Sequence, residues 1–484
     1  MDEGFESVIG LECHVELSTR TKMFCGCRNA FGAEPNTNVC PVCLGLPGSL
    51  PVPNREAIAS IVRIGLALQS RIAPDSLFHR KNYFYPDMPK DYQISQYDLP
   101  VCVGGHLEIE FDGTRKRVGI TRVHMEEDTG KTTHVGASGR IGQADHALVD
   151  YNRAGVPLVE IVSEPDLRSA EEARAYFGEL RAVLEALGVS DVRMEEGSLR
   201  CDANISTRRS GEATLGTKVE IKNLNSIRSL ERALHHEEQR QRAALRQAEP
   251  VAQETRHFDE ETGTTHTLRS KEEAFDYRYF PEPDLPPLAP EPSWVEDLRA
   301  ALPELPAARR ARYTELGLKP DQVRILVASP GAATFFEATV SLGAPAGGAA
   351  NWITQDLAGL ANAAKVDLAD AKVRPAHIAD LIGMVERGTL SVTGAKQVLE
   401  EAFETGDEAG TIVERRGLVQ VTDTSALDAW VDAAIAENPG PVERFRDGKD
   451  EAVNALVGAV MKKSRGSANP KLVGELLRKQ LSGS

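Results

Sequence analysis

The 484-residue chain is defined first by what it lacks, and each absence removes a class of function. It has no uninterrupted apolar run of the roughly 20 residues needed to cross a bilayer. Its start, Met1-Asp-Glu-Gly, lacks the basic-then-apolar pattern of a signal peptide. It also lacks a cationic surplus. Fifty-six Lys+Arg against 72 Asp+Glu leave a net charge of −16, which argues against holding nucleic acid by global electrostatics, though not by a local patch. Cysteine is sparse outside one cluster: Cys13, Cys102 and Cys201 are scattered, which fits a reducing compartment, with the cytoplasm as the expected location. No Gly-x-Ser-x-Gly elbow is present. The nearest approach to a phosphate loop, Gly211 to Lys218, ends Thr-Lys where Lys-Ser/Thr is required, and it precedes a strand-like run rather than a helix. His235-His236 has no zinc-protease context, and no internal repeat or low-complexity tract is visible.

The remaining four cysteines are concentrated. Cys25-x-Cys27 and Cys40-Pro-Val-Cys43 flank a loop of about a dozen residues, the spacing of a tetrahedral zinc site. A disulfide pair or ordinary buried thiols are the alternatives. Just upstream, Val8 to Leu17 alternates at the strand period of two, putting Glu12, His14 and Glu16 on one face and Leu11, Cys13, Val15 and Leu17 on the other. The polar face is either the solvated side of an edge strand or a set of hard ligands suited to magnesium or manganese. Further carboxylate-rich stretches favour the second reading: His124 to Lys131, Asp150 to Asp166 and Arg193 to Asn204. Glu160 lies within an apolar run, where a carboxylate needs a cation or a hydrogen-bond partner. Lys222 shares a strand face with Lys218 and Glu220, and Arg80 opens the aromatic run Arg80 to Asp87. Carboxylates interleaved with cationic side chains are what transfer of phosphate from ATP requires; surface salt bridges are the plain alternative.

At this length two to four domains are expected. Strand-like alternation at 105–111, 117–124 and 217–222, with helical patterning at 55–68, 169–187 and 226–248, predicts an α+β fold on a largely antiparallel sheet. Ser169 and Glu172 have capping-box spacing. The proline run Pro281 to Pro292 is expected to be a stiff spacer between domains. Beyond it the pattern is helical from Ser293, with a less regular stretch from Gly406 to Asp423. Residues 443–484 carry nine Lys+Arg against five Asp+Glu, a basic tail on an acidic chain.

These motifs, in order, carry a resemblance over essentially the whole length. Val8 to Leu17, Cys40 to Gly48, Arg80 to Asp87, Tyr92 to Tyr97, His124 to Lys131, Val156 to Asp166, Glu220 to Ser226 and Tyr277 to Leu285 are similar to the B subunits of the bacterial tRNA-dependent amidotransferase. The resemblance implies a cradle domain of the glutamine synthetase and guanidino kinase kind over 1–292, with a zinc-binding loop. An all-α helical domain over 293–407 and a tRNA-binding helical tail over 408–484 would follow. It implies an ATP-dependent carbon–nitrogen ligase with glutamine as amido donor, working as a heterotrimer with an amidase component and a small third component. The substrates would be mischarged Glu-tRNA(Gln) and Asp-tRNA(Asn), and the cofactors ATP, Mg2+ or Mn2+, and a structural Zn2+. Carried over, the metal ligands fall on Glu12, His14, the Glu126/Glu127 pair with Glu127 favoured, and Glu160. Glu127, Glu160, Lys222 and Arg80 are the catalytic candidates, the last two for phosphate, and Cys25, Cys27, Cys40 and Cys43 the zinc ligands. Within the helical region, the resemblance is loosest from Asn351 onward. Two rival readings are a non-catalytic protein that only presents tRNA, and an archaeal-type relative whose inserted domain finds no room here.

Overall fold

The computed structural model of the chain describes residues 4–135, 144–270, 277–366, 368–420, 424–464 and 468–482. They form two compact units, Met1–Ala307 and Ala308–Ser484.

The first unit is built on a ten-stranded sheet whose central strand, Phe5–Glu16, is the alternating segment seen in the sequence. Leu11, Cys13, Val15 and Leu17 are almost wholly buried, while Glu12, His14 and Glu16 are half-buried on the other face. The apolar face packs with Ala173, Tyr176, Phe177 and Leu180 of the helix Ala170–Leu187 into one continuous core. Each fully buried aliphatic or aromatic side chain there contributes roughly 1.5–3 kcal/mol. Phe5–Glu16 pairs antiparallel with Pro157–Ser163 on one side and Leu199–Arg209 on the other, and Pro157–Ser163 pairs in turn with the long strand Thr114–Glu127. One neighbouring pair, Val219–Leu224 with Glu254–Asp259, runs parallel, so the sheet is antiparallel but for that step. A small three-stranded sheet, Phe280–Pro281, His79–Asn82 and Tyr92–Ser95, is the second sheet that matters for the site.

Helix starts follow the sequence signals closely. Ser169 and Ser226 accept backbone N–H bonds at the heads of Ala170–Leu187 and Ile227–Arg246. The capping box is only half realised, because the Glu172 carboxylate accepts from Arg168 N rather than from the serine.

The proline run is not a spacer. Leu288 forms a β-bridge with Ser76, Leu285 is buried in the first core, and Glu282 is buried beneath Arg80. Val295 and Leu298 of the next helix, Pro292–Ala300, join the same core, so the unit continues through Ala307 instead of ending at 292. Proline stiffness made this segment look like a linker, but the apolar residues between the prolines anchor it. The second unit is helical and contains two separate cores, one spanning Tyr313 to Val413 and one spanning Leu427 to Leu481. The stretch 406–423, irregular in pattern, holds the helix Ala409–Arg416; residues 421–423 lie outside the described residues. No described helix is long and apolar enough to cross a membrane.

Candidate active site and metal centres

Strand register alone assembles the polar cluster. His14 on the central strand is directly opposite Glu160 on one neighbour, and Glu160 is directly opposite His124 on the next. Directly opposed residues share a face, so the three side chains form a row across three strands. Glu126, two residues beyond His124, joins them. Ligand atoms of His14, Glu126 and Glu160 all lie within 4.8 Å of one another. His124 Nε2 is 3.1 Å from Glu160 and 3.5 Å from Glu126, and His14 Nε2 is 3.8 Å from Glu160.

The electrostatics are those of a buried mixed-charge cluster. Burial alone would lower the His124 pKa, but Glu160 and Glu126 outweigh it and raise it to about 9. Burial would raise the Glu126 pKa, yet Lys81 and then His124 hold the carboxyl well below its ordinary value. Glu160 is likewise held low, His124 overcoming the effect of burial. Lys81 Nζ is 3.6 Å from Glu126, while Ser95 Oγ (2.9 Å) and Gln93 Nε2 (3.2 Å) donate to the same carboxylate. Lys81, Gln93 and Ser95 come from one face of the small sheet.

Strand alternation separates the sequence candidates. Glu127 points to the opposite face from Glu126. Its carboxylate is paired with the buried Lys90 ammonium and accepts from Ile94 N at 2.9 Å. Glu127, favoured in the sequence as the ligand of the pair, therefore stands apart from the His14–Glu126–Glu160 cluster, which Glu126 joins. Arg80 points away from Lys81 for the same reason. It makes a bidentate pair with the buried Glu282 (2.8 and 2.9 Å), reaches Asp284 at 3.1 Å and lies 4.2 Å from the Tyr92 ring centroid. Its donors are committed to carboxylates rather than presented to a phosphate. Lys222 lies 2.5 Å from Asp202 and 3.0 Å from Glu220, so it too is paired. Glu12 is on the correct face, one step along the strand from His14, and accepts from Asn204 at 2.9 Å. Burial, and next the nearby Glu160 charge, raise its pKa. It flanks the cluster without joining it.

Four participants escaped sequence reasoning: His124, Lys81, Asp128 and Arg200. The first two were within reach, since alternation places His124 with Glu126 and sets Lys81 opposite in sense to Arg80. Arg200 sits opposite His14 on Leu199–Arg209 and donates to Asp128 at 2.7 Å, a pairing that only the register reveals. Glu16 completes this second group. Burial, and then Asp128, raise its pKa to about 8.

The cysteines do converge. One Sγ each from Cys25, Cys27, Cys40 and Cys43 lies within 4.8 Å of the others, and none is in a disulfide. The Lys22 ammonium, fully buried, is 3.8 Å from Cys43 Sγ and donates to Asn38 O at 3.0 Å. A hydrogen bond from Cys25 lowers the Cys43 pKa to about 5, while Cys25 itself is raised by the same bond. Four thiols with a buried cation beside them fit a closed zinc site, whose four thiolates exceed the metal charge. The carboxylate–imidazole set fits a harder divalent cation.

A sheet carrying such hard ligands and buried cations fits an enzyme that handles phosphate or carboxylate groups. A family model described as the GatB/GatE catalytic domain matches residues 7–296, and one described as GatB domain matches 334–481. The chain is 52% identical over 480 residues to the aspartyl/glutamyl-tRNA(Asn/Gln) amidotransferase B subunit of Geobacter sulfurreducens, covering 99% of this chain and 100% of that one. The B subunit of Salinispora tropica is 55% identical over 483 residues (99% and 96%), and that of Moorella thermoacetica 53% over 478 (99% and 100%). The chain belongs to the family of aspartyl/glutamyl-tRNA(Asn/Gln) amidotransferase B subunits, glutamine-dependent, ATP-using ligases of translation.

Proposed function

We propose that this chain activates the side-chain carboxylate of Glu-tRNA(Gln) or Asp-tRNA(Asn) with ATP and then forms the amide with ammonia. One carboxylate oxygen attacks the γ-phosphorus and ADP leaves, giving an acyl phosphate. Ammonia attacks the acyl carbon and expels inorganic phosphate. A carboxylate is a poor acyl donor and an acyl phosphate a good one, which is why ATP is needed. The observation that carries the reading is the His14–Glu126–Glu160 cluster with Lys81 at its edge, inside the segment matched as a catalytic domain.

His14, Glu126 and Glu160 would hold Mg2+ or Mn2+, which when bound offsets phosphate charge. His124 orients Glu160, and Lys81, rather than Arg80, is the cation placed for a phosphate oxygen. Glu12 supports the cluster from the neighbouring position. Glu127, Arg80 and Lys222 act through their ion pairs, as positioning residues. Cys25, Cys27, Cys40 and Cys43 hold a structural Zn2+ with Lys22 as counter-charge. Ammonia comes from glutamine at an amidase partner, with a small third protein completing the complex, in the cytoplasm. The sheet unit is the cradle of glutamine synthetase and guanidino kinase type, and the two cores of the helical unit correspond to a helical domain and a basic, tRNA-binding tail.

The mechanism makes an isotopic prediction. With tRNA charged with glutamate carrying 18O in its side-chain carboxylate, one 18O must appear in inorganic phosphate for each amide formed. Phosphate free of label would remove the acyl phosphate from the path.

A further inference from the structure

Five of the chain's nine tyrosines, Tyr83, Tyr85, Tyr97, Tyr277 and Tyr279, gather beside the carboxylate cluster. Tyr97 and Tyr279 are stacked with ring centroids 4.5 Å apart and planes 14° from parallel. Tyr279 meets Tyr277 edge-on at 6.1 Å. Tyr83 and Tyr85 form a second stack at 5.5 Å and 19°. Lys81 links the row to the catalytic cluster: its ammonium is 5.1 Å from the Tyr277 centroid and 3.6 Å from Glu126. Tyr279 is close enough to the cluster to feel the charges of Lys81, Glu126 and Glu160, and Tyr83 those of Tyr277 and Lys81.

Two of the rings are exposed, the other three are half-buried, and the segment is held in place. Tyr97 is 58% and Tyr85 55% exposed. Asn82 clamps the segment behind the rings, donating from its side chain to Tyr277 O (3.0 Å) and Arg278 O (2.8 Å). Arg278, between the two rings, has a φ of 42°, a conformation that costs about 1–3 kcal/mol in a non-glycine residue and concentrates at functional sites. None of the five tyrosines belongs to the buried core.

We propose that this tyrosine row is the stacking platform for the unpaired 3′-terminal nucleotides of the mischarged tRNA. The inference rests on the reaction proposed above. The aminoacyl ester sits on the last ribose, so the terminal bases must lie beside the group being phosphorylated. Unpaired bases stack on aromatic faces whatever their sequence. A row of five rings offers more surface than the single adenine of ATP can cover, which favours a strand of nucleotides as the occupant. The Lys81 ammonium sets positive charge beside the Tyr277 ring on a chain whose net charge is −16, where a phosphodiester strand would pass. Local stacking thus supplies what global electrostatics cannot.

The test uses the complete amidotransferase complex and tRNA carrying 2-aminopurine in place of the terminal adenine. Fluorescence should be quenched on binding to the wild type, and the quenching relieved in Tyr97→Ala and Tyr279→Ala. In the same variants the KM for Glu-tRNA should rise roughly five- to a hundredfold, with the KM for ATP and the partner's glutaminase activity unchanged. Tyr97→Phe keeps the ring and should restore both readouts. Inhibition by tRNA lacking its last four nucleotides should be equal in all forms, which separates lost stacking from a damaged fold. Absence of quenching in the wild type, or a rise in the KM for ATP with that for tRNA unmoved, would overturn the proposal; the latter would place adenine of ATP on the row. Failure of the wild type to form ADP would count against the reaction itself, while the fluorescence arm would still report on the platform.

Discussion

Adjacent glutamates on one strand provide a demanding test, because alternation gives Glu126 and Glu127 different work. Glu127 and Lys90 are 3% and 6% exposed, so Glu127→Gln leaves a buried ammonium without its counter-charge. Breaking such a pair from one side costs about 3–5 kcal/mol. The amide oxygen of glutamine still accepts from Ile94 N, so the hydrogen-bond term is retained. Lys90 also keeps the Tyr92 and Phe24 rings, at 5.2 and 6.0 Å, which places the expected loss at the lower end, about 3 kcal/mol. At roughly 2 °C per kcal/mol for a unit of this size, the melting point should fall by about 6 °C. The double variant Lys90→Met/Glu127→Gln removes both charges and should recover more than half of the loss, so that the two single losses in a double-mutant cycle are far from additive. Glu126→Gln should do the opposite. Glu160 remains as counter-charge for His124, so stability changes less, while tRNA-dependent ADP formation falls on the order of a hundredfold or more. Thermal unfolding and ADP release on the same preparations decide it. Glu127→Gln abolishing ADP formation at unchanged stability would refute the division of roles.

Arg80→Lys should fail to replace the bidentate bond to buried Glu282 and destabilise the first unit by about 2–4 kcal/mol, whereas Lys81→Met, which leaves His124 as counter-charge for Glu126, should cost less stability and raise the KM for ATP, as unfolding curves and kinetics will report. Chelation, or Cys43→Ser, should release one equivalent of metal measurable by elemental analysis and make the cysteines reactive to alkylating agents without prior reduction; cysteines unreactive until reduced would mean disulfides. The helical unit should lose stability as acidity increases. His377 is buried, its Nδ1 accepts from Arg374 N at 2.8 Å, and burial lowers its pKa below the unfolded value, so its contribution is full above about pH 6.5 and lost as pH falls through the folded value. His377→Asn should flatten the melting profile between pH 7 and 5, and an unchanged slope would exclude His377 as its source.

Much of this architecture was legible in the sequence, and the failures have physical causes. Period-two alternation in Val8 to Leu17 correctly assigned the faces of the central strand, and the cysteine spacing correctly anticipated four converging thiols. What alternation within one strand cannot supply is its partner's register. His14, Glu160 and His124 come from three strands far apart in the chain, and only their pairing puts them in a row. Arg80 and Glu127, both singled out in the sequence, lie on the strand faces away from the cluster, and their neighbours Lys81 and Glu126 lie on it. Each pair straddles the two faces of a strand, and which face meets the cluster depends on the partner strands. The proline run misled because proline content reports stiffness and says nothing of burial; Leu285 and Leu288 anchor it through contacts distant in sequence.

Carboxylate activation by this chain is decided by ADP release from its complex with the amidase partner. Glu-tRNA(Gln), Asp-tRNA(Asn), uncharged tRNA and no tRNA would be compared, for wild type and for Glu160→Gln. The proposed reaction requires ADP only with a mischarged tRNA in the wild type, and almost none in Glu160→Gln while glutaminase activity persists. ADP formation in the wild type that ignores the state of the tRNA, or that survives in Glu160→Gln, would contradict it.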